Sequence, residues 1–158
     1  MTIWTRPGGS LAEFYSDSPG ETQALGRRIA RRLGPGQVLA LQGGLGAGKT
    51  CLAQGIAQGL GVREELTSPT YTIVAEYEAR PGGAPLPLYH IDAYRLSGGD
   101  DFEALGGRDL LYGGGICLVE WADRIRDALP AGTISVELEI CGENGRIIRV
   151  SAGGDPWP

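Results

Sequence analysis

The sequence predicts an α/β fold whose mixed sheet is parallel at its centre, flanked by helices and completed by a C-terminal β-hairpin. Two observations support this prediction. Short apolar runs alternate along the chain with longer segments in which apolar residues recur every four positions, a pattern typical of parallel strands joined by helices. Two further strand-like runs flank Gly142-Glu143-Asn144-Gly145, and Asn-Gly is a favoured dipeptide in tight hairpin turns.

The first elements are a strand, a helix and a second strand. Residues 11–15 are predicted to form the first strand. The helix is predicted over 21–33, with Ser18 or Gly20 as its cap, because its apolar residues are spaced by four and share one face. The apolar run at 37–43 is typical of a buried parallel strand.

The rest of the chain continues this alternation. A second helix is predicted over 49–60, again with apolar residues every four positions. Three apolar runs predict further strands, at 71–77, 86–91 and 115–120. Two short helical segments are predicted at 100–112 and 121–128, ahead of the C-terminal hairpin.

The composition favours one folded domain that does not bind nucleic acid by itself. A chain of 158 residues suits a single domain over 1–158, in which the Gly- and Pro-rich segments 1–9 and 152–158 are expected to be loose termini. The formal net charge of −5 disfavours direct contact with nucleic acid, because that contact needs clustered cations.

The three cysteines are far apart and match neither a disulfide framework nor a zinc site. No signal peptide or membrane-spanning run is found, so we expect a cytoplasmic protein without a membrane partner.

A phosphate-binding loop is the strongest motif in the chain. The pattern G-x-x-x-x-G-K-[ST] is matched by Gly43, Gly44, Leu45, Gly46, Ala47, Gly48, Lys49 and Thr50. Glycines allow successive backbone N–H groups to cradle phosphate oxygens, and the dipole of the following helix favours the anion. Lys49 can reach the terminal phosphates, and the Thr50 hydroxyl can ligate Mg²⁺. Because the loop joins a predicted strand to a predicted helix, it indicates a P-loop NTPase-like fold that binds a nucleoside triphosphate.

The basic residues narrow the choice of nucleotide. They comprise thirteen arginines and a single lysine, Lys49, which already belongs to the phosphate-binding loop. The usual guanine-recognition element of GTPases, N-K-x-D, needs another lysine, so ATP is the favoured nucleotide. A minimal ATPase, a small-molecule kinase and a nucleotide-responsive binding module without turnover all remain possible at this point.

The chain resembles the bacterial TsaE family, formerly YjeE, in four blocks. These occur in order as GGLGAGKT at 43–50, SPTYTIV at 68–74, HIDAYRL at 90–96 and LVEW at 118–121. The resemblance extends from about Thr22 to Arg149. It implies an ATPase required for the threonylcarbamoyl modification of adenosine beside the tRNA anticodon, dependent on ATP and Mg²⁺. It also implies low activity alone, stimulation by the partners TsaB and TsaD, and contact with tRNA only through that complex. A P-loop small-molecule kinase is the alternative.

Two carboxylates follow predicted strands, and the resemblance assigns a role to each. Asp92 is the catalytic candidate that aligns or activates water, together with Lys49 at the phosphates. Glu120 joins Thr50 around Mg²⁺. Plainer roles remain open for both carboxylates, because Asp92 could cap the following turn and Glu120 could form a surface ion pair.

The remaining residues of the matching blocks are assigned more loosely. The resemblance predicts switch or partner-facing roles for Ser68, Pro69, Thr70, His90 and Trp121. His90 could equally hold the Asp92 loop through a structural hydrogen bond, and Trp121 could pack in the core. The nucleotide-binding set is extended to Cys51, and Thr22 and Gly145 are expected to flank adenine.

Three positions depart from the family pattern. The family usually has Asp at the position of Gly44, a second Thr at that of Cys51 and Leu at that of Ala93. The missing carboxylate at Gly44 is expected to alter how the loop is tethered, without changing the family to which the sequence points.

Overall fold

The computed structural model describes residues 2–5, 11–68 and 72–151. Within that part of the chain, eight strands form one sheet: β1 Thr2–Thr5, β2 Leu11–Ser16, β3 Val38–Gly43, β4 Val74–Ala79, β5 Leu86–Asp92, β6 Ile116–Glu120, β7 Ile134–Cys141 and β8 Gly145–Ser151. Their order across the sheet is β1-β2-β8-β7-β3-β6-β5-β4. The four central strands β7, β3, β6 and β5 run parallel, and the edge strands pair antiparallel. The predicted mixed sheet and its C-terminal hairpin are therefore confirmed.

Helices cover both faces of the sheet. They are α1 Pro19–Ala30, α2 Lys49–Gly59, α3 Gly99–Ala104 and α4 Gly107–Leu111, with two 3₁₀ helices at Pro81–Gly83 and Ala122–Ala128. The α1/α2 face is the layer in which these two helices pack on alternate strand residues such as Leu39 and Leu41. The α3/α4 face, with the second 3₁₀ helix, packs on the intervening residues such as Val38 and Ala40. None of the helices described is long and apolar enough to cross a membrane.

Close packing of α1 against α2 determines where the second helix lies. A Cβ atom at Gly26 would lie 2.6 Å from the carbonyl oxygen of Leu52, and one at Gly55 would overlap the backbone of Gln23. Glycine at both positions therefore allows the two helix backbones to touch. Because α2 begins at the phosphate-binding loop, this contact also positions that loop.

Several predicted boundaries move in the structure. Helix α1 is capped by Ser18, whose side chain accepts a hydrogen bond from the backbone N–H of Glu21, and the helix ends at Ala30. Strand β4 begins later than the predicted 71–77 segment. The helical segment predicted at 100–112 is divided into α3 and α4 at Gly106, where φ is +79°.

The N-terminus requires a correction. The sequence predicts a loose segment over 1–9, but Thr2–Thr5 form β1, which pairs antiparallel with β2. The short run TIWT is rich in β-branched and aromatic residues, which suit a strand. The predicted loose segment at 152–158 lies outside the described residues, as do residues 6–10 and 69–71.

Candidate functional site

The phosphate-binding loop lies where three parallel strands end. It follows β3, while Asp92 and Glu120 close the neighbouring strands β5 and β6 and pair in register. Gly48 caps α2 with φ +100°, a left-handed conformation that favours glycine, and α2 has no side-chain cap. The N–H groups of its first turn can therefore donate to a bound anion.

The loop forms one wall of a cleft of about 410 Å³. The cleft is lined by Leu45, Gly46, Ala47, Gly48, Lys49, Thr50, Cys51, Ser68, Asp92, Tyr94, Glu120 and Trp121. All of these except Tyr94 are site residues predicted from the sequence. The fold therefore gathers residues from four separate segments of the chain around one space.

Lys49 lies at the base of this cleft and is 6% exposed. Its Nζ donates hydrogen bonds to the carbonyl oxygens of Gly43 at 2.7 Å and Gly44 at 2.9 Å. The same nitrogen lies 4.2 Å from the ring centroid of Trp121, within the range of a cation–π contact. The ammonium is thus held between the loop backbone and an indole ring.

Nearby carboxylates oppose the effect of burial on the pKa of Lys49. Burial lowers the pKa of Lys49, whereas the carboxylates of Glu120, Asp92 and Asp123 raise it. The cleft therefore contains a desolvated cation facing several acidic groups, and phosphate oxygens would compete with those groups for it.

A chain of hydrogen bonds links the cleft to the interior. The Thr50 hydroxyl donates to Glu120 Oε1 at 3.1 Å and lies 2.8 Å from the Ser68 hydroxyl. Because Thr50 has one proton to donate, the Ser68 hydroxyl donates to Thr50. Glu120 Oε2 lies 2.7 Å from His90 Nε2.

Burial excludes the surface ion pair considered as an alternative for Glu120 and the partner-facing role considered for His90. Glu120 is only 3% exposed, so it does not form a surface ion pair. His90 is completely buried and cannot face a partner, and its hydrogen bond goes to Glu120 and not to the Asp92 loop. Sequence spacing could not reveal this, because His90 and Glu120 lie on different strands.

A divalent cation fits the Thr50–Glu120 pair. Both residues offer oxygen ligands, the type that Mg²⁺ prefers, and in a P-loop site phosphate oxygens and water complete its coordination shell. In the described part of the chain, no three His, Cys, Asp or Glu side chains gather into a metal site of their own. The donor set therefore suits a cation that is bound together with nucleotide.

Asp92 caps the following turn and also lines the cleft. Its Oδ1 accepts a hydrogen bond from the backbone N–H of Tyr94 at 3.0 Å. The capping role considered from the sequence is therefore present. It leaves the other carboxylate oxygen available to a group in the cleft.

Trp121 has an unusual backbone conformation. Among the described residues it is the only one other than glycine with a positive φ, at 55°. Its half-buried ring lies against Lys49 and, with centroids 5.0 Å apart, against the ring of Tyr94. Such strain is often found at functional sites, and here it accompanies a ring that lines the cleft as well as packing on the core.

The two residues predicted near adenine are not part of the cleft wall that the structure describes. Thr22 is buried behind the loop, where its hydroxyl lies 2.7 Å from that of Ser16. Gly145 opens β8, and the next residue, Arg146, donates to the carbonyl oxygen of Gly46 at 3.1 Å. Neither Thr22 nor Gly145 is among the described residues that line the cleft.

The loop at 68–70 and Arg146 complete the account of the site residues. Pro69 and Thr70 lie outside the described residues, whereas Ser68 lines the cleft. Arg146 was missed by the sequence analysis, although it directly follows the predicted Gly145. Its contact with the phosphate-binding loop joins residues 100 positions apart, which no local pattern indicates.

Comparison with known proteins gives a consistent result. A family model described as threonylcarbamoyl adenosine biosynthesis protein TsaE matches residues 16–148. The tRNA threonylcarbamoyladenosine biosynthesis protein TsaE of Treponema pallidum is 42% identical over 136 residues, which cover 86% of this chain and 97% of that protein. The protein of the same name from Bacillus subtilis is 41% identical over 140 residues, covering 89% and 85%. The crystal structure of Bacillus subtilis YdiB matches with a TM-score of 0.73 and 35% identity, covering 98% of this chain and 89% of that one.

Proposed function

The chain belongs to the TsaE family, and on that premise we propose that it hydrolyses Mg²⁺-bound ATP and acts on a TsaB–TsaD partner complex. Family membership gives it an ATP-binding, ATPase role in the biosynthesis of threonylcarbamoyladenosine in tRNA. The dependence on Mg²⁺, the identity of the partners and their stimulation of turnover are the further parts of the proposal. A cytoplasmic location goes with them, because the pathway modifies tRNA.

One observation carries the proposal: the phosphate-binding loop shares a single cleft with the carboxylates of Asp92 and Glu120. Phosphoryl transfer to water requires a cation at the terminal phosphates, oxygen ligands for Mg²⁺ and a group that orients the attacking water. The cleft contains a candidate for each requirement, from segments of the chain that are far apart in sequence.

Lys49 is the proposed phosphate-binding cation. When nucleotide binds, its ammonium would exchange the carbonyl oxygens of Gly43 and Gly44 for oxygens of the β- and γ-phosphates. The N–H groups at the start of α2 would donate to the same phosphates. The ring of Trp121, whose centroid lies 4.2 Å from Lys49 Nζ, would keep the lysine over the loop during this exchange.

Thr50, Glu120 and Asp92 complete the proposed chemistry. The hydroxyl of Thr50 and the carboxylate of Glu120 would hold Mg²⁺, which supplies charge neutralisation at the phosphates. Asp92 uses Oδ1 to cap its own turn, so its other oxygen would accept a hydrogen bond from the attacking water. Water would then be oriented towards the γ-phosphate by a carboxylate fixed at the end of β5.

The net charge of the chain and the expected rate of ATP hydrolysis both support a role for the partner complex. A net charge of −5 favours contact with tRNA through other proteins. None of the described residues that line the cleft is an arginine. P-loop enzymes without an arginine finger hydrolyse nucleotide slowly, and a finger supplied by a partner speeds the reaction by orders of magnitude. We therefore expect slow turnover alone and faster turnover with TsaB and TsaD.

Phosphate release by the purified chain tests the proposal. It would be measured with ATP and Mg²⁺, with ATP and EDTA, and again after addition of purified TsaB and TsaD. Release that needs Mg²⁺ and rises with the partners supports the proposal. Transfer of phosphate to a small metabolite would instead establish a kinase, and tight ATP binding without turnover under all conditions would establish a binding module.

A further inference from the structure

His90 is a polar residue in an apolar layer. It is the only histidine in the sequence, and its side chain is completely buried. On β5 it shares a strand face with Leu88, which packs in the core on the α1/α2 face. Burying an imidazole among aliphatic side chains is unfavourable unless the ring is hydrogen-bonded. The buried imidazole of His90 therefore depends on the hydrogen bond that it makes.

That hydrogen bond goes to a buried carboxylate. His90 Nε2 lies 2.7 Å from Glu120 Oε2. An ionised carboxylate only accepts hydrogen bonds, so Nε2 carries the proton and donates. The other ring nitrogen, Nδ1, has no hydrogen-bond partner among the described residues. The imidazole is thus oriented by one interaction, and that interaction is with Glu120.

Glu120 is held at both of its oxygens. While Oε2 accepts from His90, Oε1 accepts from the hydroxyl of Thr50 at 3.1 Å. Glu120 also attracts the nearby ammonium of Lys49, yet within the described residues no ion pair joins the two side chains. A carboxylate released from His90 would be free to turn towards Lys49 and to compete there with phosphate.

We propose that His90 is a positioning residue, which holds Glu120 so that its Oε1 faces Thr50 and the pair is prepared for a divalent cation. The inference rests on the proposed function, because it assumes that the cation binds there together with nucleotide. His90 itself contacts neither nucleotide nor cation, and its effect passes through Glu120. Groups that orient the ligands of a metal commonly affect its affinity by 10- to 100-fold.

Two polar substitutions at His90 distinguish a role in positioning Glu120 from a role in filling space in the core. The amide nitrogen of Gln reaches about as far as Nε2 of His, whereas the shorter Asn places its nitrogen near the position of Nδ1. His90→Gln therefore retains a donor to Glu120, and His90→Asn loses it. The measurement is the affinity for Mn²⁺, followed by electron paramagnetic resonance, with the full chain and a non-hydrolysable ATP analogue.

His90→Asn is expected to weaken Mn²⁺ binding about tenfold or more, and His90→Gln to stay close to the wild-type value. Affinity for the analogue in EDTA should be the same in all three proteins. Equal losses in both variants, or no loss in His90→Asn, would overturn the proposal. If the wild-type chain binds neither the analogue nor Mn²⁺, the proposed function fails, and the next measurement still tests the contact itself.

A second measurement needs no change at His90. Because the chain has one histidine, ¹⁵N-histidine labelling gives an unambiguous NMR signal from its ring. We expect the tautomer protonated at Nε2, with a resonance that shifts in Glu120→Gln and not in the control Asp92→Asn, which removes a charge without touching His90. A ring protonated only at Nδ1, or a signal indifferent to Glu120→Gln, would contradict the contact on which the proposal depends.

Discussion

The two faces of the central sheet contain different chemistry. In the described part of the chain, the buried polar and charged side chains belong to the α1/α2 face and to the loop that opens α2: Ser16, Thr22, Lys49, His90 and Glu120. Within the residues that the structure describes, the buried side chains of the α3/α4 face are apolar, apart from the thiol of Cys117. Burial of polar groups is unfavourable unless they are paired, so their concentration on one face indicates where phosphate chemistry is located. The α3/α4 face buries mainly apolar side chains, and Trp121, which packs on it, is its contribution to the cleft.

Loss of the lysine should have the largest effect on activity. Lys49→Ala removes the only ammonium in the cleft, and we expect kcat to fall about 100-fold or more. Lys49→Arg is the matched variant: it keeps the charge, but its planar guanidinium cannot replace a compact ammonium in a narrow cradle. Both should fail in a phosphate-release assay, and wild-type turnover in Lys49→Ala would refute the assignment of the loop.

Asp92 separates chemistry from binding within the same cleft. Asp92→Ala should lower the hydrolysis rate by about 100-fold, the usual range for a positioned acid–base group, while calorimetry shows nearly unchanged ATP affinity. Asp92→Asn keeps an oxygen that can still cap the turn at Tyr94, so it tests the charge alone. If ATP affinity collapsed in a folded Asp92→Asn protein, the assignment of Asp92 to catalysis would be wrong.

One core substitution on each face of the sheet tests whether only the α1/α2 face affects activity as well as stability. Phe102→Ala on the α3/α4 face should lower the free energy of unfolding by about 3–5 kcal/mol, and Leu41→Ala on the α1/α2 face by about 2–5 kcal/mol. Urea unfolding measures both. Only Leu41→Ala should also slow phosphate release per folded molecule, because Leu41 lies in β3 just before the phosphate-binding loop. Equal losses of activity would show that the two faces are not functionally distinct.

The smallest predicted effect concerns the buried thiol of Cys117 on the α3/α4 face. It is a change in how the free energy of unfolding depends on pH. Burial raises the pKa of Cys117 from its ordinary value of 9.0 to about 12. Between these values the unfolded chain has lost this proton and the folded chain retains it, so Cys117 should reduce stability by about 1.4 kcal/mol per pH unit as the pH rises.

Cys117→Ala should therefore lose less stability than the wild type between pH 9 and 11, measured by urea unfolding at each pH. The exposed Cys141 provides the control, because Cys141→Ala should retain the wild-type slope. Identical slopes in wild type and Cys117→Ala would show that the buried thiol does not contribute.

Local features of the site were predictable from the sequence, and long-range contacts were not. The phosphate-binding loop and the elements on either side of it follow from a motif of eight residues and from apolar spacing. The cap at Ser18 is likewise set by neighbouring residues. The final hairpin turns at residues 142–144, with φ +75° at Gly142, whereas Gly145 of the Asn-Gly dipeptide already pairs with Cys141. The hydrogen bond between His90 and Glu120, and that between Arg146 and Gly46, join segments that are 30 and 100 residues apart.

The features that the sequence did not predict also depend on long-range contacts. Strand β1 was not predicted because its four residues carry too weak a pattern, and it is stabilised by pairing with β2. The partner of the structural hydrogen bond of His90 was not predictable because it depends on strand order, which places β5 beside β6. A histidine at that position can be exposed or buried according to what packs on its face of the sheet.

The sequence by itself determined the local features of this protein. These are a phosphate-binding loop with one lysine, strands and helices with clear periodicity, and carboxylates at two strand ends. These features depend on backbone preferences and on spacing over a few residues. Only the tertiary structure decided that Glu120 is held between Thr50 and His90, that Trp121 covers Lys49 and that the polar groups share one face of the sheet. Those contacts depend on strand order and on how the whole core packs, and both are properties of the complete chain.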